Sequence, residues 1–328
     1  MFSKKTAVAA AALLAAFAAQ AQVTVYGNLD LSVGRFKEPN SAVPVTKATT
    51  RVESGSLRES FLGFKGEEDL GGGMKAFFKL ESALAADTGA VAGNFWGRTS
   101  VIGLSGDFGT VTLGNARSLL FLANDAYNPF RADSALFSTS ALLMGNTGVP
   151  TGYSSNWVNS ITYMSPNMSG FSGAVQLGAS EKAGVSNSVG LALNYAVGPL
   201  GLNFTYQDVP ATATPGDSDK IKTWLVDANY DLGMAKLFGQ VGQARETSQP
   251  TSKYFQFGVS VPVTSADNVL VSYAEGKNNA SKAKEFSLAY EHTLSKRTSA
   301  YVGLNSTNHS YDTERSGTSF AAGVRHSF

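Results

Sequence analysis

The chain has 328 residues, of which 26 are basic, 25 are acidic and 3 are histidines, and it contains no cysteine. The absence of cysteine excludes a disulfide framework, a thiolate metal site and a catalytic thiol. The balanced charge excludes a nucleic-acid-binding surface, which needs an excess of basic residues.

The first 21 residues are predicted to be a cleaved secretory signal peptide. Lys4 and Lys5 supply a positive start, residues 7–19 are apolar, and Ala19-Gln20-Ala21 has the spacing of a cleavage site. The apolar run is too short for a membrane-spanning helix, which needs about 20 residues. The mature chain is therefore expected to run over 22–328. Without the two leader lysines it carries 24 basic and 25 acidic residues.

From Gln22 onward, short segments alternate between apolar and polar side chains. Leu191, Leu193 and Tyr195, for example, lie on one face of a predicted strand, and Ala192 and Asn194 lie on the other. Because no linker interrupts this pattern, we expect a single domain. The alternating segments number about sixteen, each of roughly ten residues, as tilted membrane strands require. The predicted spans are 22–36, 55–66, 73–85, 94–105, 108–115, 156–164, 170–180, 187–196, 200–209, 220–231, 234–245, 251–261, 267–276, 282–293, 298–307 and 317–328.

The connections between these segments alternate between short turns and longer polar loops, which is typical of outer-membrane barrels. Tyrosines recur near the ends of the apolar faces, where amphipathic rings favour the boundary between lipid and water. These tyrosines are Tyr195, Tyr206, Tyr230, Tyr273 and Tyr290.

A soluble β-sandwich or β-barrel is the main structural alternative, with the apolar faces packed inside. Two features oppose it: about sixteen strands enclose a lumen too wide to fill with side chains, and the polar faces carry small residues suited to lining water. In lipid the sheet must close, since an open edge would leave backbone groups unpaired. The sequence therefore predicts an all-β transmembrane antiparallel up-and-down barrel. The chain ends on Phe328, in register with the apolar face of the last strand.

Three segments carry a family resemblance that extends over the mature chain: 63–77 (GFKGEEDLGGGMKAF), 101–114 (VIGLSGDFGTVTLG) and 159–171 (NSITYMSPNMSGF). They resemble the general porins of Gram-negative bacteria, of the type common in β-proteobacteria. The resemblance implies a sixteen-stranded antiparallel barrel that assembles as a homotrimer, with a long third loop folded into the lumen. It also implies that Phe328 is read as a signal by the outer-membrane assembly machinery.

The third loop corresponds to residues 115–155, the longest stretch without alternation. A loop of this length needs a functional explanation, and narrowing the pore supplies one. Its segment 125–130 (DAYNPF) is similar to the family's acidic constriction segment, and Asp125 and Asp133 are the loop's two carboxylates.

Opposite this loop, the resemblance implies a ladder of inward-facing arginines at positions 61, 98 and 156. Arg98 is retained, whereas the other two positions hold Phe61 and Asn156. Lys65 matches an inward lysine of the family. Lys79 and Glu81 share the inward face of their strand, because Phe78 and Leu80 point the other way. We therefore expect weak ion selectivity, and the anion preference of some relatives is not carried over.

The resemblance implies an outer-membrane channel for passive diffusion of small hydrophilic solutes and ions, without a cofactor or metal. Its expected partners are those solutes, outer-membrane lipid and lipopolysaccharide, a homotrimer and the assembly machinery, and no nucleic acid. A substrate-specific channel remains open, since Phe61, Phe77 and Tyr254 are candidates for the lumen. A role of the loops as an adhesin or phage receptor also stays open. A barrel enzyme is disfavoured, because His292, His309 and His326 lie in three separate places and no catalytic motif occurs.

Overall fold

The computed structural model describes residues 23–37, 47–139, 152–247, 249–279, 281–310 and 316–328. The predicted leader and residues 140–151 of the long loop lie outside these ranges. No helix within them is long and apolar enough to cross a membrane. The strands are β1 (Thr24–Phe36), β2 (Thr49–Ser54), β3 (Phe61–Gly71), β4 (Met74–Ala85), β5 (Ala90–Val91), β6 (Thr99–Gly106), β7 (Gly109–Arg117), β8 (Asn156–Met164), β9 (Phe171–Gly178), β10 (Ser188–Val197), β11 (Leu200–Pro210), β12 (Lys220–Asp231), β13 (Lys236–Glu246), β14 (Ser252–Pro262), β15 (Asp267–Lys277), β16 (Lys282–Thr293), β17 (Thr298–His309) and β18 (Gly317–Ser327).

These strands form one closed antiparallel barrel. Its wall has sixteen strand positions, which we call staves. Each stave pairs with its neighbours in chain order, and β1 closes the sheet against β18 from Asn28↔Ser327 to Arg35↔Phe320. Together β2 and β3 make up the second stave, because β2 pairs with the second half of β1 and β3 with the first. The two-residue β5 pairs only with the end of β4. The predicted barrel and its strand number are confirmed.

Side chains alternate across the wall as the period-two pattern predicts. On β10, Leu191 and Leu193 are exposed on the outer surface, while Gly190 and Ala192 are buried toward the interior. On β14, the exposed Phe255 and Phe257 alternate with the buried Tyr254 and Gln256 in the same way. Large apolar side chains therefore cover the outside, and polar or small side chains face the interior. This distribution is the inverse of a soluble core, and it matches a barrel surrounded by lipid.

The second stave differs from its predicted span of 55–66. The strand breaks at residues 55–60, where six residues face only two on β1, since Leu31 pairs with Ser54 and Asn28 pairs with Phe61. Gly55 starts this break with a φ of +79°, a conformation that residues with a side chain rarely adopt. Because the inserted residues have no partner strand to pair with, they project into the interior. Leu57 is fully buried there in an apolar cluster.

The described part of the third loop lies against the inner wall. It begins with a short helix, α1 (Leu119–Ala126), whose N-cap Ser118 accepts a hydrogen bond from the Phe121 backbone. Leu120 packs against Leu225 and Tyr254 on the inner faces of β12 and β14. Sequence alternation had indicated only an absence of strand here, because an eight-residue helix leaves too short a periodic signal.

The far end of the described loop is tied to two separate parts of the wall. The backbone N–H of Leu136 donates to the Ser56 carbonyl at 3.2 Å, and the Thr139 hydroxyl bonds the Gln256 side chain. Phe137 stacks on Phe130 with ring centroids 5.6 Å apart. It also meets Tyr301 edge-on at 6.1 Å. The loop is thereby anchored inside the barrel both to the second stave and to the inner faces of β14 and β17.

Candidate pore constriction

The third stave presents a paired lysine and glutamate to the interior. The strand alternation of β4 places Lys79 and Glu81 on the inner face. The Lys79 Nζ lies 2.9 Å from Glu81 Oε1, and the Tyr26 hydroxyl donates to the same oxygen at 2.6 Å. Glu81 is only 3% exposed. The carboxylate is therefore held in place, and its charge is shared with a lysine.

Arg98 lies just before β6. It is the centre of a group of paired charges that we call the charged cluster, made up of Arg98, Arg117, Glu59, Glu81 and Asp133. Its guanidinium contacts Glu59, its Nε lies 3.2 Å from Glu81 Oε2, and its Nη2 lies 3.6 Å from Asp133 Oδ2. The guanidinium carbon also stands 4.3 Å from the Phe61 ring centroid, a cation–π geometry. Phe61 thus supports Arg98 where the family resemblance implied a second basic residue. The arginine faces three carboxylates, one of which belongs to the third loop.

Arg117, at the end of β7, is a second basic group that the sequence had not singled out. Its Nη2 lies 3.1 Å from Glu59 Oε2, and its Nη1 donates to Asn156 Oδ1 at 2.9 Å. Asn156 also donates to the Arg98 carbonyl at 2.8 Å. Asn156 therefore joins the two arginines where the resemblance implied a third. Strict alternation would place Arg117 on the outward face with Leu113, and it turns inward only because the pairing of β7 with β8 shifts between Gly114 and Ala116. Gly114, whose φ is +128°, was the only local signal of that shift.

The two loop carboxylates have different partners. Asp133 reaches Arg98 across the interior, as described above. Asp125 instead binds Arg131 of the same loop, with its Oδ2 2.5 Å from Nη2. It also accepts from the Ala132 backbone at 3.1 Å. Burial lowers the pKa of Arg131, but the hydrogen bond and charge of Asp125 outweigh that effect and leave the pKa above its ordinary value. Asp133 thus faces the wall, and Asp125 stabilises the loop.

Arg58 fastens the loop to the wall from within the inserted segment. Its guanidinium donates to the carbonyls of Leu57, at 2.8 Å, and of Phe130. Its backbone N–H donates to Asp30 Oδ2 at 2.6 Å, and Leu57 donates to the same oxygen at 3.0 Å. Asp30 is fully buried, and its other oxygen accepts from the Tyr301 hydroxyl at 2.5 Å. No sequence pattern pointed to Arg58, because its position depends on the strand break.

Lys65 stands apart from this cluster. It lies on the inner face of β3, opposite Lys79 in the register. Its Nζ is 5.0 Å from the Tyr26 ring centroid, and no ion pair joins it to any residue in the described ranges. Lys65 is therefore a free positive charge on the route toward the end of the barrel that carries the short turns.

The remaining sequence candidates do not form a chemical site. Within the described ranges, no group of three His, Asp or Glu side chains could hold a metal ion. His292 Nδ1 lies 2.6 Å from Asp267, and His326 Nδ1 bonds Thr298 at 2.9 Å. His309 is buried near the end of β17. Phe328 is placed at the barrel seam, where it and Gly27 exchange backbone hydrogen bonds of 3.1 Å.

Above the charged cluster lies a wide recess between the loop and the wall. Its volume is about 590 Å³, and its lining includes Glu53, Glu59, Arg117 and Asp133 together with Tyr153 of the loop. Both signs of charge therefore face the same water-accessible space. The arrangement can attract and orient charged or dipolar solutes, but within the described residues it offers no nucleophile paired with a base.

Comparisons with known proteins agree with this geometry. A family model described as Gram-negative porin matches residues 7–312. The chain is 32% identical to outer membrane porin protein 32 of Delftia acidovorans, an alignment that covers 92% of this chain and 88% of that protein. It is 31% identical to major outer membrane protein P.IB of Neisseria lactamica, over 99% of this chain and 100% of that protein.

Among solved structures, the anion-selective porin from Comamonas acidovorans superposes with a TM-score of 0.80 at 26% sequence identity. That similarity covers 94% of this chain and all of the Comamonas chain. The barrel fold of this chain is thus shared with the Comamonas porin over the whole length of that chain. This chain belongs to the Gram-negative porin family.

Proposed function

We propose that this outer-membrane porin is an open, water-filled channel through which small hydrophilic solutes and ions diffuse down their gradients. The single observation that carries the proposal is the inverted distribution of side chains, with apolar residues exposed outside and polar residues inside. Such a wall is stable in hydrocarbon and leaves a hydrated interior. No bond is made or broken, and selection depends on size and charge.

The loop 115–155 is proposed to narrow this channel. Its described residues approach the charged staves closely enough for Asp133 to meet Arg98. The lining of this constriction would then consist of Arg98, Arg117, Glu59, Glu81 and Asp133. Lys79, Phe61 and Asn156 hold those groups in place, Asp125 supports the loop, and Lys65 is a separate charge along the pathway.

Weak ion selectivity follows from the pairing of these charges. Arg98 and Arg117 share Glu59, and Arg98 also faces Glu81 and Asp133. The field that a passing ion meets is the sum over all of these groups, and opposite charges a few ångströms apart largely cancel at a distance. The related Comamonas porin is described as anion-selective, but we do not extend that property to this chain.

A substrate-specific channel is the second candidate, and the structure weakens it. Tyr254 is covered by Leu120 and Ala123 of the loop, and Phe61 is covered by the Arg98 guanidinium. Phe77 is partly buried over Gly103. The three aromatic candidates therefore present no continuous surface on which a sugar ring could stack.

Titrating a neutral sugar into a current recording distinguishes the two functions. If solutes pass by simple diffusion, the current should fall only as far as the added sugar lowers the conductivity of the bulk solution, because no solute is held at the constriction. Charged amino acids and a disaccharide serve as matched probes. A saturable block at millimolar sugar, with resolvable closing events, would favour a specific binding site and contradict the proposal.

We further propose that residues 1–21 are removed during export, that Phe328 is read by the assembly machinery, and that three chains associate. These three statements rest on the family resemblance. Trimer formation predicts that an unheated detergent extract migrates on a gel as a heat-sensitive oligomer of the mature chain, which begins at Gln22. A monomer band at every temperature would contradict it.

A further inference from the structure

A belt of basic residues lies on the outer, lipid-facing surface of five adjacent staves, at the end of the barrel that carries the long loops. We call it the outer lysine belt. Each member lies on the same face as the exposed apolar residues of its strand, so the belt points outward and not into the lumen. Its members are Lys222 on β12, Arg245 on β13, Lys253 on β14, Lys277 on β15, and Lys282 and Lys284 on β16.

The belt places like charges directly opposite one another. Lys222 pairs with Arg245 across β12 and β13. Lys253 pairs with Lys277, and Lys277 pairs in turn with Lys282, across three consecutive strands. Directly opposed like charges destabilise a sheet, and adjacent strands are only about 4.8 Å apart. The arrangement therefore lowers the stability of the isolated protein unless an anion lies among these side chains.

The acidic residues on the same surface compensate for only part of this charge. Glu275 lies 2.8 Å from the Lys282 Nζ, and Asp208 lies 4.0 Å from the Lys222 Nζ. The other four members make no ion pair with any residue in the described ranges. Glu246 is on the inner side of β13, since its neighbour across the strand is the buried Ile221. A net positive surface remains on β13 to β16.

Exposed aromatic rings fix the depth of the belt in the membrane. Trp224, Phe255 and Phe286 each follow a belt lysine by two residues on the same outward face. Two residues of strand span about 7 Å, so the ammonium groups lie just beyond the rings. Exposed aromatic rings of a barrel gather at the boundary of the hydrocarbon. The belt is therefore at the level of the lipid headgroups in the outer leaflet.

The belt also borders a polar recess large enough for a headgroup. This recess has a volume of about 490 Å³ and is lined by Gln243, Thr251, Lys253, Lys277, Asn278 and Asn279. Ammonium, amide and hydroxyl groups are donors that suit phosphate oxygens. At the matching outward positions of β8, β9 and β10 the chain has Val158, Leu177 and Val189. The basic residues of the belt therefore do not extend to β8, β9 and β10.

We propose that the outer lysine belt binds the phosphate groups of an anionic lipid of the outer leaflet, with the acyl chains lying against the aromatic rings below. The inference rests on the outer-membrane location of the chain and is independent of which solutes the pore passes. Failure of lipid binding would therefore leave the channel function untouched.

The test compares lipid retention by the full-length mature protein and a belt variant, Lys253→Gln/Lys277→Gln/Lys284→Gln. Both are mixed in detergent with equal amounts of phosphatidic acid and phosphatidylcholine, and the bound lipids are counted by native mass spectrometry. A basic residue near an anionic lipid surface typically strengthens binding severalfold. We expect the variant to retain at least about tenfold less phosphatidic acid than the unmodified protein. The amount of bound phosphatidylcholine should be the same for both proteins.

A control with the same loss of charge removes three lysines from the other end of the barrel, Lys75→Gln/Lys236→Gln/Lys296→Gln, of which Lys75 and Lys236 lie on the inner face. It should retain phosphatidic acid as the unmodified protein does. Unchanged strand content and single-channel conductance verify that the belt variant is folded. Equal retention by the belt variant and the unmodified protein would overturn the proposal. Displacement of the lipid by an equal concentration of inorganic phosphate would also overturn it, because the site would then bind free phosphate.

Discussion

Replacing Glu59 by glutamine is expected to shift the pore toward anions, and replacing Arg98 by glutamine is expected to shift it toward cations. Glu59 pairs with both arginines, so its loss leaves Arg117 without an ion-pair partner among the described residues, in contact with Asn156 and the Phe121 ring. Loss of Arg98 leaves Glu59, Glu81 and Asp133 facing the same space. Glutamine has nearly the size of glutamate, so Glu59→Gln is mainly a change of charge. In place of Arg98 it is shorter and removes the guanidinium contacts together with the charge.

The expected size of each shift follows from Coulomb's law. A unit charge about 5 Å from a passing ion changes its energy by about 0.8 kcal/mol in water, and salt at 0.1 M reduces this by about half. The lost charge shifts the energies of a cation and an anion by about 0.4 kcal/mol each in opposite senses, so the ratio of cation to anion permeability should change about fourfold. The two variants should change this ratio in opposite directions. Reversal potentials in a tenfold salt gradient measure it.

Lys182→Gln is the matched control for this pair, because Lys182 is exposed in the outer loop between β9 and β10. It should leave the reversal potential unchanged. If Glu59→Gln and Arg98→Gln shifted the potential in the same direction, or not at all, these residues would not line the constriction.

Phe137→Ala is expected to release the third loop without opening the barrel wall. Phe137 is fully buried and contacts Phe130 and Tyr301. Truncating a buried phenylalanine typically costs about 3–5 kcal/mol, and here that loss falls on the packing of the loop. The loop should then move within the lumen, which raises current noise and relaxes the size limit for solutes.

Single-channel recordings with polyethylene glycols of increasing size measure this relaxation. Phe257→Ala is the control, because Phe257 is exposed on the outer surface and does not contact the loop. Strand content should be unchanged in both variants. An unaltered size limit and noise level in Phe137→Ala would show that the loop is held by other contacts or does not narrow the pore.

Most of the barrel could be predicted from the sequence, because each stave repeats the same alternation and lipid requires that the sheet close. Lys79 and Glu81 could be placed on one face for the same reason. The alternation is a local property, and it is strongest in long unbroken strands such as β12 and β16. The predicted boundaries of those two strands agree with the structure.

The charged cluster was less predictable, because it depends on contacts between distant segments. Arg58 and Glu59 enter it through the six-residue break in the second stave, and nothing local marks that break except Gly55. Arg117 joins through the register of β7 against β8, where the pairing shifts between Gly114 and Ala116. Position-by-position comparison with the family had treated Phe61 and Asn156 as lost charges. The structure places both as direct supports for the arginines.

The barrel's charge distribution has a further consequence for stability. The arginines of the constriction are paired with carboxylates of the chain, whereas several members of the outer lysine belt have no acidic partner among the described residues. If the belt binds lipid as proposed, the membrane supplies the counter-charges of the outer surface, and the chain itself supplies those of Arg98 and Arg117. This difference separates the part of the molecule that selects solutes from the part that fits the membrane.

Single-channel recording of the purified protein in a planar lipid membrane tests whether the apolar faces point into lipid and enclose a water-filled pore. We expect discrete, long-lived current steps that grow in proportion to salt concentration. A protein that stays monodisperse in detergent-free buffer and adds no current to the membrane would contradict this expectation.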